Sequence, residues 1–279
     1  MLTVREIISR STEYLKQHGV DTARLDSELL LAKVLGLTRL ELYLQMERPF
    51  EEEELALSRQ LLWQRAKKRV PVAYLLGKKE FYGLDFTVNE NVLIPRPETE
   101  LLVELVAKLA PDSARALEVG IGSGAISIGL AKALPALRIW ATDLSPQALA
   151  VAKENCQKHQ LAERIQLLEG DLFSPLAGSE GTFEIIVSNP PYIPHGDLAL
   201  LAPELNHEPQ LALDGGPDGL AVLRPLIRKA ISFLVPGGLL ALELGTGQGQ
   251  AVTALAQEAG FVDPRCELDY AGSERFFIA

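Results

Sequence analysis

The tetrapeptide Asn189-Pro190-Pro191-Tyr192 is the most specific chemical signal in the chain. The Asn189 side-chain oxygen and the Pro190 backbone carbonyl can each accept a hydrogen bond from one NH2 group. Two such bonds would orient a planar, weakly nucleophilic nitrogen, such as that of an amide or an adenine amine. Both prolines lack an N–H and have a fixed φ, so the turn is stiff. Stiffness matters wherever the rate depends on alignment of the reacting atoms. The Tyr192 ring can pack on the flat group. A polar turn with a proline pair is common in loops, but it does not explain why these residues close an apolar run, 184–188, that reads as a central strand.

A second cluster lies upstream. Glu118-Val119-Gly120-Ile121-Gly122-Ser123-Gly124 closes an apolar run at 116–119 and opens a helical stretch at 125–134. Glycines at alternate positions let the backbone turn sharply and remove Cβ atoms where a ligand must approach the main chain. In an open α/β sheet, ligands bind in that crevice at the strand ends. The loop alone leaves the ligand open, because Gly120, Gly122 and Ala125 also fit the G-x-G-x-x-A dinucleotide fingerprint. Asp143 supports either ligand, since a carboxylate at the end of the next strand can accept from both ribose hydroxyls. It could also help cap a helix near Ser145-Pro146. Asp171 tilts the choice. In Glu169-Gly170-Asp171-Leu172-Phe173 a carboxylate stands where an adenine amine could donate to it, with Leu172 and Phe173 offering apolar surface to the ring. The glycine loop, Asp143 and Asp171 together complete the pattern of a class I S-adenosylmethionine-dependent methyltransferase. The tetrapeptide would then hold the acceptor nitrogen in line with the sulfonium methyl. Such a transfer requires no metal.

These clusters need a scaffold, and the hydrophobic pattern supplies one. The first seventy residues read as helices: Val4, Ile7, Ile8 and Leu15 share one apolar face, and Leu25, Leu29 and Val34 another. Asp21 or Thr22 would cap the second helix, and Thr38 a third. Acids at 51–54 and bases at 67–69 suit the two ends of a fourth. Pro71 breaks that pattern, and residues 77–97 change to short aromatic and β-branched runs with the character of a hairpin linker. Helical text resumes at 98–109. Apolar runs at 116–119, 138–142, 165–168, 184–188 and 239–244 then alternate with helical stretches, which predicts a parallel sheet covered on both faces. Two further strands are expected at 266–270 and 275–278. The predicted domains are a helical bundle at 1–75, a hairpin linker at 76–97 and the Rossmann-like α/β domain at 98–279.

There are further motifs, several of them outside any generic methyltransferase core. They are Pro71-Val-Ala-Tyr74-Leu-Leu-Gly77, Glu80-Phe81-Tyr-Gly83, Ile94-Pro95-Arg96-Pro97-Glu98-Thr99-Glu100, Glu208-Pro209, and Leu213-Asp214-Gly215-Gly216-Pro-Asp218-Gly219. With them the chain resembles the release-factor glutamine methyltransferases, the HemK/PrmC family, over nearly its whole length. The resemblance implies a seven-stranded methyltransferase domain joined by a hairpin to an N-terminal helical domain. It implies a protein substrate, the glutamine of the Gly-Gly-Gln motif in class I peptide chain release factors. It also implies that Gly120, Ile121, Gly122, Ser123, Gly124 and Asp143 bind S-adenosylmethionine, with Asp171 and Leu172 beside adenine. Asn189, Pro190, Pro191 and Tyr192 would hold the glutamine, and Asn189 would also contact the cofactor. Glu118 stands where many relatives carry aspartate, and the longer carboxylate still reaches the cofactor amino group. Arg96 and the Asp214-Gly215-Gly216 loop have two readings each, as parts of the pocket or as turns.

Charge and composition narrow the alternatives. The net charge is −10, with no large basic segment in evidence, so direct nucleic-acid binding is not expected. An adenine-N6 DNA methyltransferase would share the tetrapeptide but must grip duplex DNA and extrude a base. A dinucleotide-dependent oxidoreductase would leave the tetrapeptide unexplained, and a non-catalytic binding module would leave an intact site unused. Cys156 and Cys266 have no CxxC partner and no nearby histidine cluster, so neither a disulfide framework nor a zinc site is expected. No apolar run reaches spanning length and the N-terminus lacks a signal-type core, so no membrane partner and a cytoplasmic location are expected.

Overall fold

The computed structural model describes residues 2–111 and 114–279. The chain divides into two compact units, one running to Lys78 with Ala202–His207 added, the other comprising Lys79–Leu201 and Glu208–Ala279.

The first unit is helical. Helices α1 (Val4–Gln17), α2 (Ala23–Leu35), α3 (Arg39–Leu44) and α4 (Glu52–Lys67) precede a short α5 (Val72–Leu76). Thr3 with Glu6, Thr38 with Glu41 and Glu51 with Glu54 form capping boxes, satisfying amide donors that helix starts leave open. Pro71 stands at the N-cap of α5, and Gly77 closes α5 in the left-handed region. Helix α2 corrects a sequence expectation. Leu25 is exposed, and the buried face includes Asp26, Ser27 and Glu28. Ion pairs explain the inversion. Glu28 accepts from Arg24, Arg39 and Tyr43, and Asp26 accepts from the buried Arg65, whose other arm reaches Glu204. Buried charges are tolerated when partnered in this way. Glu204 comes from the distant segment Ala202–His207, which no local pattern in the sequence assigns to this unit.

A two-stranded hairpin, β1 (Lys78–Phe81) and β2 (Leu84–Thr87), follows. Its turn residues Tyr82 and Gly83 both have positive φ, the twist that tight hairpins favour.

The second unit is built on a seven-stranded sheet, counted among the described residues, in the order β5-β4-β3-β6-β7-β9-β8. Its strands are β3 (Arg115–Val119), β4 (Arg138–Asp143), β5 (Ile165–Glu169), β6 (Phe183–Ser188), β7 (Leu234–Glu243), β8 (Arg265–Leu268) and β9 (Glu274–Ile278). The first five are parallel, and β9 inserts antiparallel between β7 and β8. Helices α6 (Pro97–Leu109), α7 (Ala125–Ala133), α8 (Pro146–Lys158), α9 (Leu223–Phe233) and α10 (Gly249–Ala259) accompany the sheet. The central strands β3 and β6 are almost wholly buried, as a parallel sheet covered on both faces requires. The strand order reverses between β3 and β6. Their carboxyl ends therefore frame the crevice where such sheets bind ligands.

Candidate active site

A cavity of about 350 Å³ opens at that crevice, a size typical of small-molecule sites. Glu118, Gly120, Ile121, Gly122, Ser123, Asp143, Asp171, Leu172, Asn189, Pro190 and Pro191 all line it. Residues from four separate strand ends thus meet around one space. Arg96 and Asp214 line it too.

Gly120 and Gly122 sit at φ of +78° and +55°, and a Cβ built on either would meet nothing within 4 Å. The open space beside both main chains is where a ligand can approach the loop. Asp143 holds this geometry. One carboxylate oxygen accepts from the Gly122 amide at 2.9 Å and the other from the Ser145 amide at 2.9 Å. Ser145 itself caps α8. Asp143 therefore ties the glycine loop to the start of α8 and still has lone pairs for hydroxyl donors. Thr142 Oγ1 is buried and has no hydrogen-bond partner among the described residues, although Thr142 lines the cavity. A loop stripped of Cβ atoms beside a carboxylate with spare lone pairs suits a polar, ribose-bearing ligand. S-adenosylmethionine fits this donor and acceptor set.

Gly124 and Tyr192 are placed differently from the expectation. Neither lines the cavity. Gly124 begins α7, where a Cβ would come within 3.3 Å of Ile128 and 3.7 Å of Ala152. Its bare backbone lets α7 pack closely against its neighbours. Tyr192 packs against the core, and its hydroxyl lies 3.4 Å from Glu243. Burial and the neighbouring Glu243 push the phenol up to about 12. Phe173 likewise turns inward and stacks on Phe233 at 4.7 Å, leaving Leu172 as the apolar wall. Leu172 adopts a positive φ of 48°, a strained conformation of the kind that concentrates at ligand sites.

Glu118 is 1% exposed, and its Oε2 accepts from both the backbone amide and the hydroxyl of Ser127. Burial pushes its carboxyl up to about 8; Asp143 adds to the rise and Ser127 opposes it. The folded protein therefore binds this proton more tightly than the unfolded chain. That contribution to stability is full below the ordinary carboxylate range and is lost as pH rises toward 8. Glu118→Gln should lack this loss, so its urea midpoint relative to the parent should rise between about pH 5 and pH 8.5.

Further residues support the site, of which Asn155 and Glu243 are not singled out by any motif in the sequence. Asn155, fully buried on α8, accepts from the Thr87 amide and donates to the carbonyls of Thr87 and Ser123. It fastens the end of the hairpin to the glycine loop. Asn155→Ala would leave these groups unpaired and should cost roughly 2–3 kcal/mol in urea unfolding. Glu208, also buried, accepts from the Ile94 amide and from Arg96, so the Arg96 segment is pinned beside the cavity by an ion pair. Gly215 packs behind the tetrapeptide, where a Cβ would lie 2.8 Å from the Tyr192 carbonyl carbon. A buried glutamate closing an apolar strand, as at Glu243, was the one available signal for that residue.

The strand order, the glycine loop and the cavity at the β3–β6 crevice define a class I S-adenosylmethionine-dependent methyltransferase. A profile described as the PrmC N-terminal domain matches residues 6–77, and one described as the methyltransferase small domain matches residues 97–207. The release factor glutamine methyltransferase of Geobacter sulfurreducens is 44% identical over 274 residues, covering 98% of this chain and 95% of that protein. That of Moorella thermoacetica is 45% identical over 285 residues, covering 100% and 98%. The chain belongs to the release factor glutamine methyltransferase family. A solved methyltransferase structure from Pyrococcus furiosus is 19% identical, with a TM-score of 0.54 over 79% of this chain and 95% of that one, and shares the fold.

Proposed function

We propose that the chain transfers a methyl group from S-adenosylmethionine to the side-chain amide nitrogen of the glutamine in the Gly-Gly-Gln motif of class I peptide chain release factors. The observation that carries this reading is full-length identity above 40% to proteins of that name. The placement of Asn189, Pro190 and Pro191 on the cavity shared with the glycine loop supports it. A DNA adenine target finds no support among the relatives.

S-adenosylmethionine supplies a methyl group on a sulfonium sulfur, which leaves as a neutral thioether. In this reading Gly120, Ile121, Gly122 and Ser123 hold the cofactor by their main chain, Asp143 takes the ribose hydroxyls, and Asp171 and Leu172 flank the adenine. Gly124 keeps α7 close behind the loop. Glu118 faces the cofactor amino group. The Asn189 oxygen and the Pro190 carbonyl accept both hydrogens of the glutamine NH2 group, turning its lone pair toward the methyl. A new N–C bond forms as the S–C bond breaks, and the surplus proton on nitrogen passes to solvent. Tyr192 stiffens the tetrapeptide from behind. No metal takes part, because the departing thioether needs no activation.

We assign release-factor binding to residues 1–75, the link to 76–97 and methyl transfer to 98–279. The site of action is the cytoplasm, without direct nucleic-acid contact. Among the described residues no helix is long and apolar enough to cross a membrane. Incubation with labelled S-adenosylmethionine and, separately, a release factor, ribosomal proteins and duplex DNA tests the assignment. Label is expected on the release factor, and label on DNA alone would overturn it.

A further inference from the structure

We propose that Thr99 and Glu243 form a relay that fixes which way the Asn189 amide faces, so that its oxygen rather than its NH2 group meets the substrate nitrogen. This rests on the reading of Asn189 given above. An asparagine side chain is nearly symmetric in shape, and only its hydrogen-bond partners decide which end is which. An NH2 group facing a substrate NH2 group would set donor against donor and lose the alignment that the reaction needs.

The geometry supplies the missing polarity. The β6–β7 register pairs Ser188 with Leu242, so the next position brings Glu243 level with Asn189. Glu243 is 1% exposed and Thr99 4% exposed. The Thr99 hydroxyl donates to Glu243 Oε2 at 2.6 Å, and Asn189 Nδ2 donates to Thr99 Oγ1 at 3.3 Å. Tyr192 donates to the other carboxylate oxygen, Oε1. A threonine hydroxyl has one proton. Once that proton is given to a carboxylate, only lone pairs remain for Asn189, and only Nδ2 can meet them. Oδ1 is then left for the cavity that Asn189 lines.

This also accounts for a carboxylate in an otherwise apolar strand. Burial pushes the Glu243 carboxyl upward, with Glu98 adding to that rise, while Thr99, Arg275 and Tyr192 favour the charge. A buried acid held at such cost needs a use, and no other step described above employs it. Thr99 and Glu243 are positioning residues, acting through Asn189.

The test is a set of variants of the full chain, assayed for kcat and KM on a release factor and for cofactor affinity by calorimetry. Thr99→Val, which keeps shape but removes the hydroxyl, should lower kcat about 10- to 100-fold, as loss of an orienting partner does elsewhere. KM and cofactor affinity should change less than about threefold. Thr99→Ser should restore kcat to within about threefold of the parent. Glu243→Gln can offer Thr99 an N–H as readily as an oxygen, and should lower kcat in the same direction. Added to Asn189→Ala, Thr99→Val should change the rate less than about twofold, since its effect passes through Asn189. Normal kcat in Thr99→Val would overturn the relay, as would a loss shared by cofactor affinity that serine does not restore. If Asn189→Ala alone is slow while Thr99→Val is not, only the relay fails. If Asn189→Ala also turns over normally, the reading of Asn189 fails with it.

Discussion

Asn189→Ala is expected to lower kcat on a release factor about 100- to 1,000-fold, the range seen when one well-placed active-site hydrogen bond is removed, or roughly 2.7–4 kcal/mol. An amide nitrogen shares its lone pair with its carbonyl and is a poor nucleophile. Alignment by two acceptors is therefore a large part of what the protein contributes. Asn189 lies on the cavity between the glycine loop and the 209–214 segment, and its Nδ2 is committed to Thr99. Alanine removes the facing oxygen and leaves the cofactor contacts untouched. Cofactor affinity by calorimetry should stay within about threefold of the parent. Asn189→Asp should be milder, since a carboxylate oxygen still accepts. A variant that turned over normally would show that another group aligns the nitrogen. One that lost cofactor binding would show that Asn189 serves chiefly the cofactor and not the substrate nitrogen.

Gly120→Val is expected to lower cofactor affinity roughly 10- to 100-fold while leaving the protein folded. Gly120 sits at φ +78°, and the space a side chain would enter is empty of protein and belongs to the cavity. A β-branched residue is strained in the left-handed region, at a cost of about 1–2 kcal/mol. Its methyl groups would also occupy ligand space, at a cost of about 1–3 kcal/mol. The strain is common to the free and the bound protein and falls on folding, so the loss of ligand space sets the affinity change, roughly a 10- to 100-fold loss. The melting temperature should fall by only a few degrees, because nothing in the protein crowds the new side chain. Calorimetry with S-adenosylmethionine and a melting curve would separate the two effects. Unchanged affinity would remove the loop from the cofactor site.

The parts of the site legible in the sequence are those in which strand, turn and helix adjoin along the chain. Glu118 through Gly122, Asp143, Asp171 and Asn189 each lie at or just past the end of an apolar run, and the parallel sheet carries all of them to one edge. What escaped depends on partners far away in sequence. Thr99 and Glu243 meet across 144 positions, and Asn155 reaches back 68 positions to Thr87. No periodicity reports such a pairing. Tyr192 and Phe173 were expected at the ligand because aromatic rings next to a motif can serve either site or core. Burial drew both inward, Phe173 onto Phe233 and Tyr192 onto Glu243. Leu25 misled for a related reason: α2 turns Asp26 and Glu28 inward, and arginines on other elements make that tolerable. The segment Ala202–His207 joins the helical unit through Glu204, a contact that neither its composition nor its place after the tetrapeptide announces.

Mapping the methyl group on the release factor tests the central claim most directly. The protein is incubated with labelled S-adenosylmethionine and either a class I release factor or the same factor with the glutamine of its Gly-Gly-Gln motif changed to alanine, and the products are fragmented by mass spectrometry. One methyl group on the side-chain nitrogen of that glutamine, and none on the alanine form, is the expected result. Equal labelling of both forms, or a methyl group on any other residue of the unchanged factor, would contradict the assignment.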